Sequence, residues 1–237
     1  MKVIDTGISS AEKNMAIDSQ LLEGLADNDA SPILHLYEWK APSATYGYFN
    51  DPYLLLDATA VERHGLELAR RPTGGGIIFH VSDFAFSVLI PSTSPHYSVN
   101  TLENYAFINN QVIEVIRKFI SQEAAPNLLP TEPEPSTPLA RHFCMGKPTK
   151  YDIILDDKKV GGCAQRRTKH GFLHQGSISL TLPNINFLEE VLKDKIDVLE
   201  AMKQNTYNLI SHESSLQDIA EARALLKQIM QGQFKGQ

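Results

Sequence analysis

The sequence predicts one domain that combines helices with β-strands, and three observations support this. A chain of 237 residues lies within the range that one domain with a long core can fill. Several segments place apolar residues with a period of two, as strands do, and the clearest runs from Phe84 to Ile90. Other segments carry apolar residues at helical spacing, above all Leu102 to Ile120. We therefore expect a single domain over residues 1–237.

The first third of the chain predicts a helix followed by strands. Ser9 and Glu12 form a capping box just upstream of four apolar residues at helical spacing, whose face should be core. The segment from Ile33 to Lys40 is rich in β-formers and predicts a strand, and a loop over 45–50 follows. Leu66 to Arg71 alternates like a strand. The four apolar helix residues are Ile17, Leu21, Leu22 and Leu25.

The middle of the chain predicts a strand, a long helix and an exposed loop. The strand should place Phe84, Phe86, Val88 and Ile90 on one face. Five prolines between Ser121 and Arg141 exclude a helix or a central strand, so we expect an exposed loop over about 121–141. The stripe that the helix should bury consists of Leu102, Tyr105, Val112, Ile113, Ile116 and Ile120.

The last third predicts a hairpin, a further strand and two helices. Two β-forming segments flank Asp156-Asp157-Lys158, which is typical of a β-hairpin. Residues 171–182 are expected to form a strand beside this hairpin. Apolar spacing then predicts one helix from Phe187 to Lys203 and another from Ser215 to Met230.

Composition and charge exclude several functional classes. No apolar run approaches the ~20 residues that a membrane helix needs, and the N-terminal segment lacks the apolar stretch of a secretory signal. A cytoplasmic location and no membrane partner are therefore expected. The net charge of −6 argues against nucleic acid as a partner, because phosphate backbones require clustered Lys and Arg. With only two cysteines, free thiols are expected rather than disulfides.

A run of three glycines between two predicted strands is the most unusual feature of the sequence. Gly74, Gly75 and Gly76 follow Arg70 and Arg71, and His80 lies four residues beyond them. Glycines in a row indicate positive φ or close backbone approach to a neighbour. The loop could bind an anion or a carbonyl group through its N–H groups, with arginine adding charge. A tight turn with surface arginines and a packed histidine is the alternative interpretation.

A second cluster follows the hairpin turn, where Lys158 and Lys159 precede Gly161 and Gly162. A lysine next to glycines can aim its ammonium group at a developing oxyanion or at a phosphate. Strand alternation places the two lysines on opposite faces, so only one should point inward. A solvated turn is the alternative. Beyond the glycines, the cluster continues through Ala164 and Gln165 to His174, Gln175, Gly176 and Ser177.

Cys144 lies in a basic stretch that includes Arg141, His142, Lys147 and Lys150. Nearby cations favour the thiolate, which makes this cysteine a candidate nucleophile for acyl transfer. A buried structural thiol remains the alternative. Cys163, between glycine and alanine in a predicted strand, is expected to be a small core residue.

These motifs together resemble the lipoate-protein ligase and octanoyltransferase family of the biotin and lipoate protein ligase superfamily. Residues 14–18 resemble the opening helix of that family and 45–50 its short glycine-containing loop. Residues 70–80 match its Arg-Arg-x-x-Gly-Gly-Gly-x-x-Phe-His signature. The segment 152–177 resembles the one that carries the key lysine, which maps to Lys159. Val81 follows His80 where the family commonly has aspartate.

The resemblance implies an α+β fold with a mixed, largely antiparallel sheet flanked by helices, and an acyl tunnel beside the glycine loop. It implies attachment of an octanoyl or lipoyl group to the lysine of a lipoyl carrier domain. That domain would belong to a 2-oxoacid dehydrogenase E2 subunit or to the glycine cleavage H protein. The substrate-binding residues it implies, beside Cys144 and Lys159, are Arg70, Arg71, Gly74, Gly75, Gly76, His80, Gly161, Gly162, Ala164, His174 and Gly176, with no metal ligand among them.

Two mechanisms occur in this family, and the sequence has features of both. A cysteine-type transferase takes octanoate from acyl carrier protein as an enzyme thioester and needs no cofactor. For this, Cys144 lies fifteen residues before Lys159, as in the cysteine-type enzymes. A ligase instead activates free lipoate with ATP and Mg²⁺ through lipoyl-AMP, and the form of the glycine signature favours it. We expect the thioester route, with the ligase second and a non-catalytic acyl- or carrier-binding protein third.

Overall fold

The segments with two-residue periodicity form two sheets. The computed structural model describes residues 1–27, 29–120, 125–134 and 138–235. In these ranges the strands are β1 (Lys2–Ser9), β2 (Ile33–Trp39), β3 (Ser43–Tyr46), β4 (Glu67–Arg70), β5 (Ile78–His80), β6 (Asp83–Pro91), β7 (Asn127–Leu128), β8 (Ile153–Leu155), β9 (Lys158–Thr168) and β10 (Gly171–Ser179). The larger sheet has the order β1-β2-β6-β10-β9-β8-β7 and the smaller β4-β3-β5.

Strand directions confirm the predicted mixed and largely antiparallel arrangement. Only the pairs β1·β2 and β3·β4 are parallel among the described strands. All other neighbours, including the long β6·β10 and β10·β9 pairs, are antiparallel. The β8–β9 hairpin turns at Asp156 and Asp157, which both have positive φ (49° and 60°), as a two-residue hairpin loop requires.

Helices pack around these sheets, which confirms the α+β class. They are α1 (Ala11–Gly24), α2 (Ala58–Arg63), α3 (Thr101–Ile120), α4 (Ile185–Val191), α5 (Ile196–Asn205) and α6 (Leu216–Lys235). The long helices α3 and α6 contribute to the largest apolar core together with one face of β6, which carries Phe84, Phe86, Val88 and Ile90 as predicted. A second core forms around β5, α2, α4 and α5. No helix within the described ranges has the length and apolar character needed to cross a bilayer.

Several details of the predicted elements are wrong. Helix α1 is capped by Ser10, not Ser9, and it buries Asn14 and Asp18 while Ile17 and Leu21 stay partly exposed. Asp18 tolerates burial because its carboxylate bonds His35, Ser87 and Gln175. Leu102, at the start of α3, is 43% exposed rather than core.

The helix predicted from Phe187 to Lys203 is also wrong, because it is interrupted. It forms α4 and α5, and the connection between them extends toward the segment before α2. There Lys193 N donates to Leu55 O (3.0 Å) and Asp57 N donates to Val191 O (2.9 Å). Those bonds to another segment compensate for the helical bonds that are lost.

The Pro-rich segment is described only at 125–134 and 138–141, since 121–124 and 135–137 lie outside the described residues. Its described part contributes β7, which pairs only with β8 at the edge of the larger sheet. A 3₁₀ turn at Ala140–His142 then leads into Cys144. The chain therefore reaches the cysteine through a short irregular segment.

Candidate active site

The glycine loop and strand β9 face each other across a cavity of about 190 Å³. Nine of the residues predicted for the site line this cavity, and four lie outside its lining. Those that line it are Arg71, Gly75, Gly76, His80, Cys144, Lys159, Gly162, Ala164 and Gly176. Those outside the lining are Arg70, Gly74, Gly161 and His174.

Arg71 holds the glycine loop in place through hydrogen bonds to the loop carbonyls. Its side chain is buried, and its Nη2 donates to the carbonyl oxygens of Gly74 (3.0 Å) and Gly76 (2.8 Å). Its Nη1 donates to the carbonyl and the hydroxyl of Thr45 on β3 (2.9 and 2.8 Å). Burial lowers the pKa of Arg71, and the nearby charge of Cys144 opposes that effect. Arg71 is thus a structural cation whose guanidinium also faces the Cys144 side chain.

Cys144 is attached to the end of the glycine loop by backbone hydrogen bonds. Cys144 N donates to Ile77 O (2.9 Å), and Ile77 N donates to His142 O (2.7 Å). This contact requires glycine at 76, since a Cβ there would lie 2.3 Å from His142 O. The loop thereby places Cys144 at the cavity wall.

Lys159 is the inward lysine of the hairpin and lies against Cys144. Its Nζ donates to Cys144 O (2.8 Å) and forms an ion pair with Asp152 Oδ2 (2.7 Å). Both side chains of the pair are almost fully buried, while Lys158 is exposed. Burial alone would lower the pKa of Lys159, but the charges of Asp152 and Cys144 outweigh it and raise that pKa. Lys159 is therefore a cation at neutral pH.

A strand irregularity and a glycine allow this placement. The register of β9 on β8 shifts between Ile153 and Ile154, which pair with Gly161 and Lys159 respectively. Such a bulge re-aims a side chain. Gly162 leaves room for the redirected lysine, because a Cβ at 162 would lie 2.3 Å from Lys159 Cε and 2.5 Å from its Nζ. Gly162 thus makes room for the lysine and does not form a turn.

His80 lines the cavity within a chain of buried polar groups. Its Nδ1 lies 2.7 Å from Asp83 Oδ2, and its Nε2 lies 2.8 Å from Thr45 Oγ1. Burial would raise the pKa of Asp83, but His80 and the Ser177 hydroxyl outweigh it and lower that pKa. The Trp39 ring stacks on His80 at 4.2 Å. These contacts fix the imidazole through both of its nitrogens.

Cys163 is not the core residue that the sequence predicts. It lines the same cavity as Cys144, and Asn109 Nδ2 on α3 lies 3.2 Å from its sulfur. Burial and the charge of Asp152 raise the pKa of Cys163 well above its ordinary value. Both cysteines are free thiols, and the environment of Cys163 favours its neutral form.

His174 and Arg70 lie away from the cavity for different reasons. His174 is fully buried on β10 near Phe86 and Tyr105. Burial lowers its pKa to about 3. Arg70 is exposed, and its guanidinium lies over the Tyr48 ring.

Sequence reasoning missed three residues that hold the site together: Thr45, Asp83 and Asp152. Thr45 was assigned to a loop, but it belongs to β3. Asp83 Oδ2 lies 2.7 Å from His80 Nδ1, and the spacing of three residues between them was the only signal in the sequence. The ion pair between Asp152 and Lys159 depends on the bulge in β9, which cannot be predicted from the sequence.

Comparison with known proteins agrees with this geometry. The lipoyl protein ligase A/B catalytic domain family matches residues 10–232, and the chain belongs to this family. It is 31% identical over 210 residues to octanoyltransferase LipM of Anoxybacillus flavithermus, which covers 87% of this chain and 75% of that protein. It is 29% identical over 210 residues to octanoyltransferase LipM of Bacillus subtilis, with the same coverage. These matches confirm the predicted family and the predicted acyltransferase or ligase class.

Solved structures with low sequence identity share the fold. A bi-partite lipoate protein ligase from Thermoplasma acidophilum, solved with its E2 lipoyl domain, has a TM-score of 0.69 at 18% identity. The match covers 99% of this chain and 83% of that one. A lipoate-protein ligase A bound with ATP has a TM-score of 0.65 at 21% identity, covering 99% and 84%. The predicted catalytic fold is therefore confirmed.

Proposed function

We propose that this protein transfers an octanoyl or lipoyl group to a lysine of a lipoyl carrier domain through a thioester on Cys144. The observation that carries the proposal is the contact between the buried cation Lys159 and Cys144, at the wall of one cavity. The similarity to octanoyltransferase LipM proteins supports the acyl group and the reaction.

The reaction consists of two acyl exchanges. In the first, the Cys144 thiolate attacks the carbonyl of an octanoyl thioester, such as that on acyl carrier protein. The bond between that carbonyl and the donor sulfur breaks, and the donor leaves as a thiol after taking up the proton that Cys144 released. In the second, the amine of the carrier lysine attacks the Cys144 thioester. The bond between the acyl carbonyl and Cys144 Sγ breaks as the amide forms, and the proton lost by the amine passes to Cys144. Each exchange is easier than a direct one-step transfer.

Lys159 acts as a fixed cation in both exchanges. A lysine has three N–H donors, and two of them are engaged by Cys144 O and Asp152 Oδ2. The third can donate to the oxyanion that forms when the carbonyl is attacked. Because the pKa of Lys159 is raised, it stabilises negative charge and does not remove a proton at neutral pH.

The remaining cavity residues bind and orient the acyl group. Apolar side chains such as Ile78, Phe143 and Met145 contact the hydrocarbon, and the glycines leave space for it. Arg71 and His80 shape the wall through their fixed hydrogen bonds. The predicted residues that we keep as acyl-binding on this basis are Arg71, Gly75, Gly76, His80, Gly162, Ala164 and Gly176.

The cavity lining does not fit a magnesium-nucleotide complex. No Asp or Glu side chain is among the described residues that line the cavity, whereas protein-bound Mg²⁺ is usually held by one or two carboxylates. Asp152, beside the cavity, is already engaged by Lys159 and Thr149. We derive no step through ATP, and the ligase reaction is an outcome of the test below.

The test measures the intact mass of the enzyme and of a lipoyl domain in two parallel reactions. One contains octanoyl-acyl carrier protein, and the other contains lipoate, ATP and Mg²⁺. Each is run with the wild type, with Cys144→Ser and with the matched control Cys163→Ser. We expect an octanoyl adduct on the wild type and on Cys163→Ser in the first reaction, with modification of the lipoyl domain. Cys144→Ser should give neither product.

Other outcomes identify the alternatives. Modification only with lipoate and ATP, unaffected by Cys144→Ser, would make the protein an ATP-dependent ligase. Tight octanoate binding with no modified carrier in either reaction would make it a non-catalytic binding protein. Both results contradict the thioester mechanism.

A further inference from the structure

We propose that an exposed surface beside the cavity docks the acidic face of the lipoyl carrier domain. This surface, the aromatic rim, consists of Tyr48, Phe49, Arg70 and Arg166. The inference rests on the proposed function, since it names the surface that receives the acceptor domain in the second acyl exchange.

The aromatic rim is ordered by stacking. The guanidinium carbons of Arg70 and Arg166 lie 5.4 and 5.6 Å from the centre of the Tyr48 ring. Phe49 meets the same ring edge-on at 5.2 Å and is 92% exposed. Stacked arginines are held in place, while their N–H groups remain able to bind carboxylates. Aromatic residues and arginine are the residue types that dominate binding energy at protein interfaces.

The two arginines carry charge that the described residues do not neutralise. No carboxylate of the described chain lies within ion-pair distance of Arg70 or Arg166, although the protein as a whole has a net charge of −6. Arg166 Nη1 donates to a neutral partner, Pro72 O, at 3.2 Å, whereas the exposed Arg63 pairs with the carboxylate of Glu190 at 2.6 Å. An exposed, unpaired cationic pair in an acidic protein complements an acidic partner.

The aromatic rim is joined to the cavity through the glycine loop. Tyr48 N donates to Thr73 O (3.0 Å), and Asn50 Nδ2 donates to Gly75 O (2.6 Å). Gly47 lies so close to the loop that a Cβ there would be 2.0 Å from Gly75 O. Gly75 itself lines the cavity. A domain bound at the aromatic rim therefore lies next to the cavity in which Cys144 is found.

That position selects the acceptor over the donor as the occupant. A lysine carries its amine on a four-carbon stem, so the acceptor domain must sit directly at the cavity to reach a thioester on Cys144. A donor that presents its acyl group on a longer prosthetic arm can bind farther away. The occupant we assign is thus a lipoyl domain with acidic side chains around its target lysine.

The test separates loading from transfer. Cys144 is first loaded by a small octanoyl thioester, octanoyl-N-acetylcysteamine, which lacks a carrier protein, and the adduct is followed by intact mass. A purified lipoyl domain of a 2-oxoacid dehydrogenase E2 is then added, and the transfer rate is measured against its concentration. The variants are Arg166→Glu and Phe49→Ala, with Lys118→Glu on α3 and the exposed Leu216→Ala as matched controls.

We expect Arg166→Glu to load at the wild-type rate and to raise the KM for the lipoyl domain about tenfold, with a weaker salt dependence of transfer. Phe49→Ala should raise that KM as well, and both controls should match the wild type. Normal loading with an unchanged KM in both rim variants would overturn the docking surface and leave the proposed function intact. Failure of the wild type to load at all would overturn the proposed function, and the docking inference with it.

Discussion

Replacing Asp152 by Asn tests how the buried lysine of the site is held. The change keeps the size of the side chain and removes its charge. Asp152 and Lys159 are 2% and 4% exposed at 2.7 Å, so neither solvent nor salt can replace the lost partner. Because burial acts against the charged form of Lys159 and Asp152 is the first of the groups that counter it, the variant should lower the lysine pKa below its ordinary 10.5.

Breaking a buried ion pair from one side costs about 3–5 kcal/mol. Lys159 keeps its bond to Cys144 O (2.8 Å), and an asparagine at 152 can still accept from Thr149. We therefore expect the unfolding free energy to fall by an amount near the lower end of that range, about 3 kcal/mol. For a chain of this size that corresponds to a melting temperature lower by about 6–12 °C.

The pH dependence of this loss has a defined sign. In the wild type the raised pKa of Lys159 contributes stability below pH 10.5, and this is lost as the pH rises through the pKa of the folded state. In Asp152→Asn the pKa of Lys159 in the folded state is depressed. Between that pKa and pH 10.5 the unfolded state therefore binds more protons than the folded state, and the stability of the variant rises with pH. The stability difference between the two proteins should therefore narrow as the pH approaches 10.5.

Denaturant unfolding at pH 7 and at pH 9.5 measures both the loss of unfolding free energy and its change with pH. Thr149→Val is the matched control, since it removes one hydrogen bond to Asp152 (2.9 Å) and keeps the ion pair, at a cost of about 1 kcal/mol. A broken buried ion pair should cost well over about 1 kcal/mol. If the unfolding free energy of Asp152→Asn at pH 7 lies within about 1 kcal/mol of the wild-type value, Lys159 is not a buried cation held by Asp152.

Three further predictions test the packing of the site. Gly162→Ala should abolish carrier modification while the protein stays folded by circular dichroism, because the new Cβ lies 2.3 Å from Lys159 Cε. Gly76→Ala should cost about 1–3 kcal/mol of unfolding free energy, because a backbone carbonyl lies 2.3 Å away, whereas Gly74→Ala, with nothing within 4 Å, should be nearly neutral in the same assay. Since burial lowers the pKa of His174 to about 3 from 6.5, wild-type stability should fall by up to about 1.4 kcal/mol per pH unit below pH 6.5, and His174→Gln should reduce that slope.

Most elements of the fold follow from local patterns that the sequence displays. The period of two from Phe84 to Ile90 predicted both β6 and the face it buries. The hairpin followed from a turn of two residues suited to positive φ. The break between α4 and α5 could not be predicted, because its cause is pairing with Leu55 and Asp57, more than 130 positions earlier. Local periodicity carries no information about such a partner.

The candidate site also combines features that local sequence patterns predict with features that depend on tertiary contacts. The glycine run was visible as a site that needs close backbone approach, and the structure supplies the reason at Gly76. Alternation alone required only that one of the two lysines point inward, and the family resemblance selected Lys159, which is the buried one. Arg71 had the signal of an anion-binding group, yet its guanidinium is used on the carbonyls of the loop itself.

Close contacts at glycines explain how an irregular segment can hold Cys144, the nucleophile that we propose. Cys144 belongs to none of the described helices or strands, so no regular hydrogen-bond ladder fixes it. Its position depends instead on Gly76 packing against His142, and on Lys159 reaching Cys144 O past Gly162. Any side chain at these glycines separates the cysteine from the loop or from its cation. The glycines therefore position Cys144 and Lys159, and if these residues act as we propose, substitutions at the glycines should impair transfer more than they impair folding.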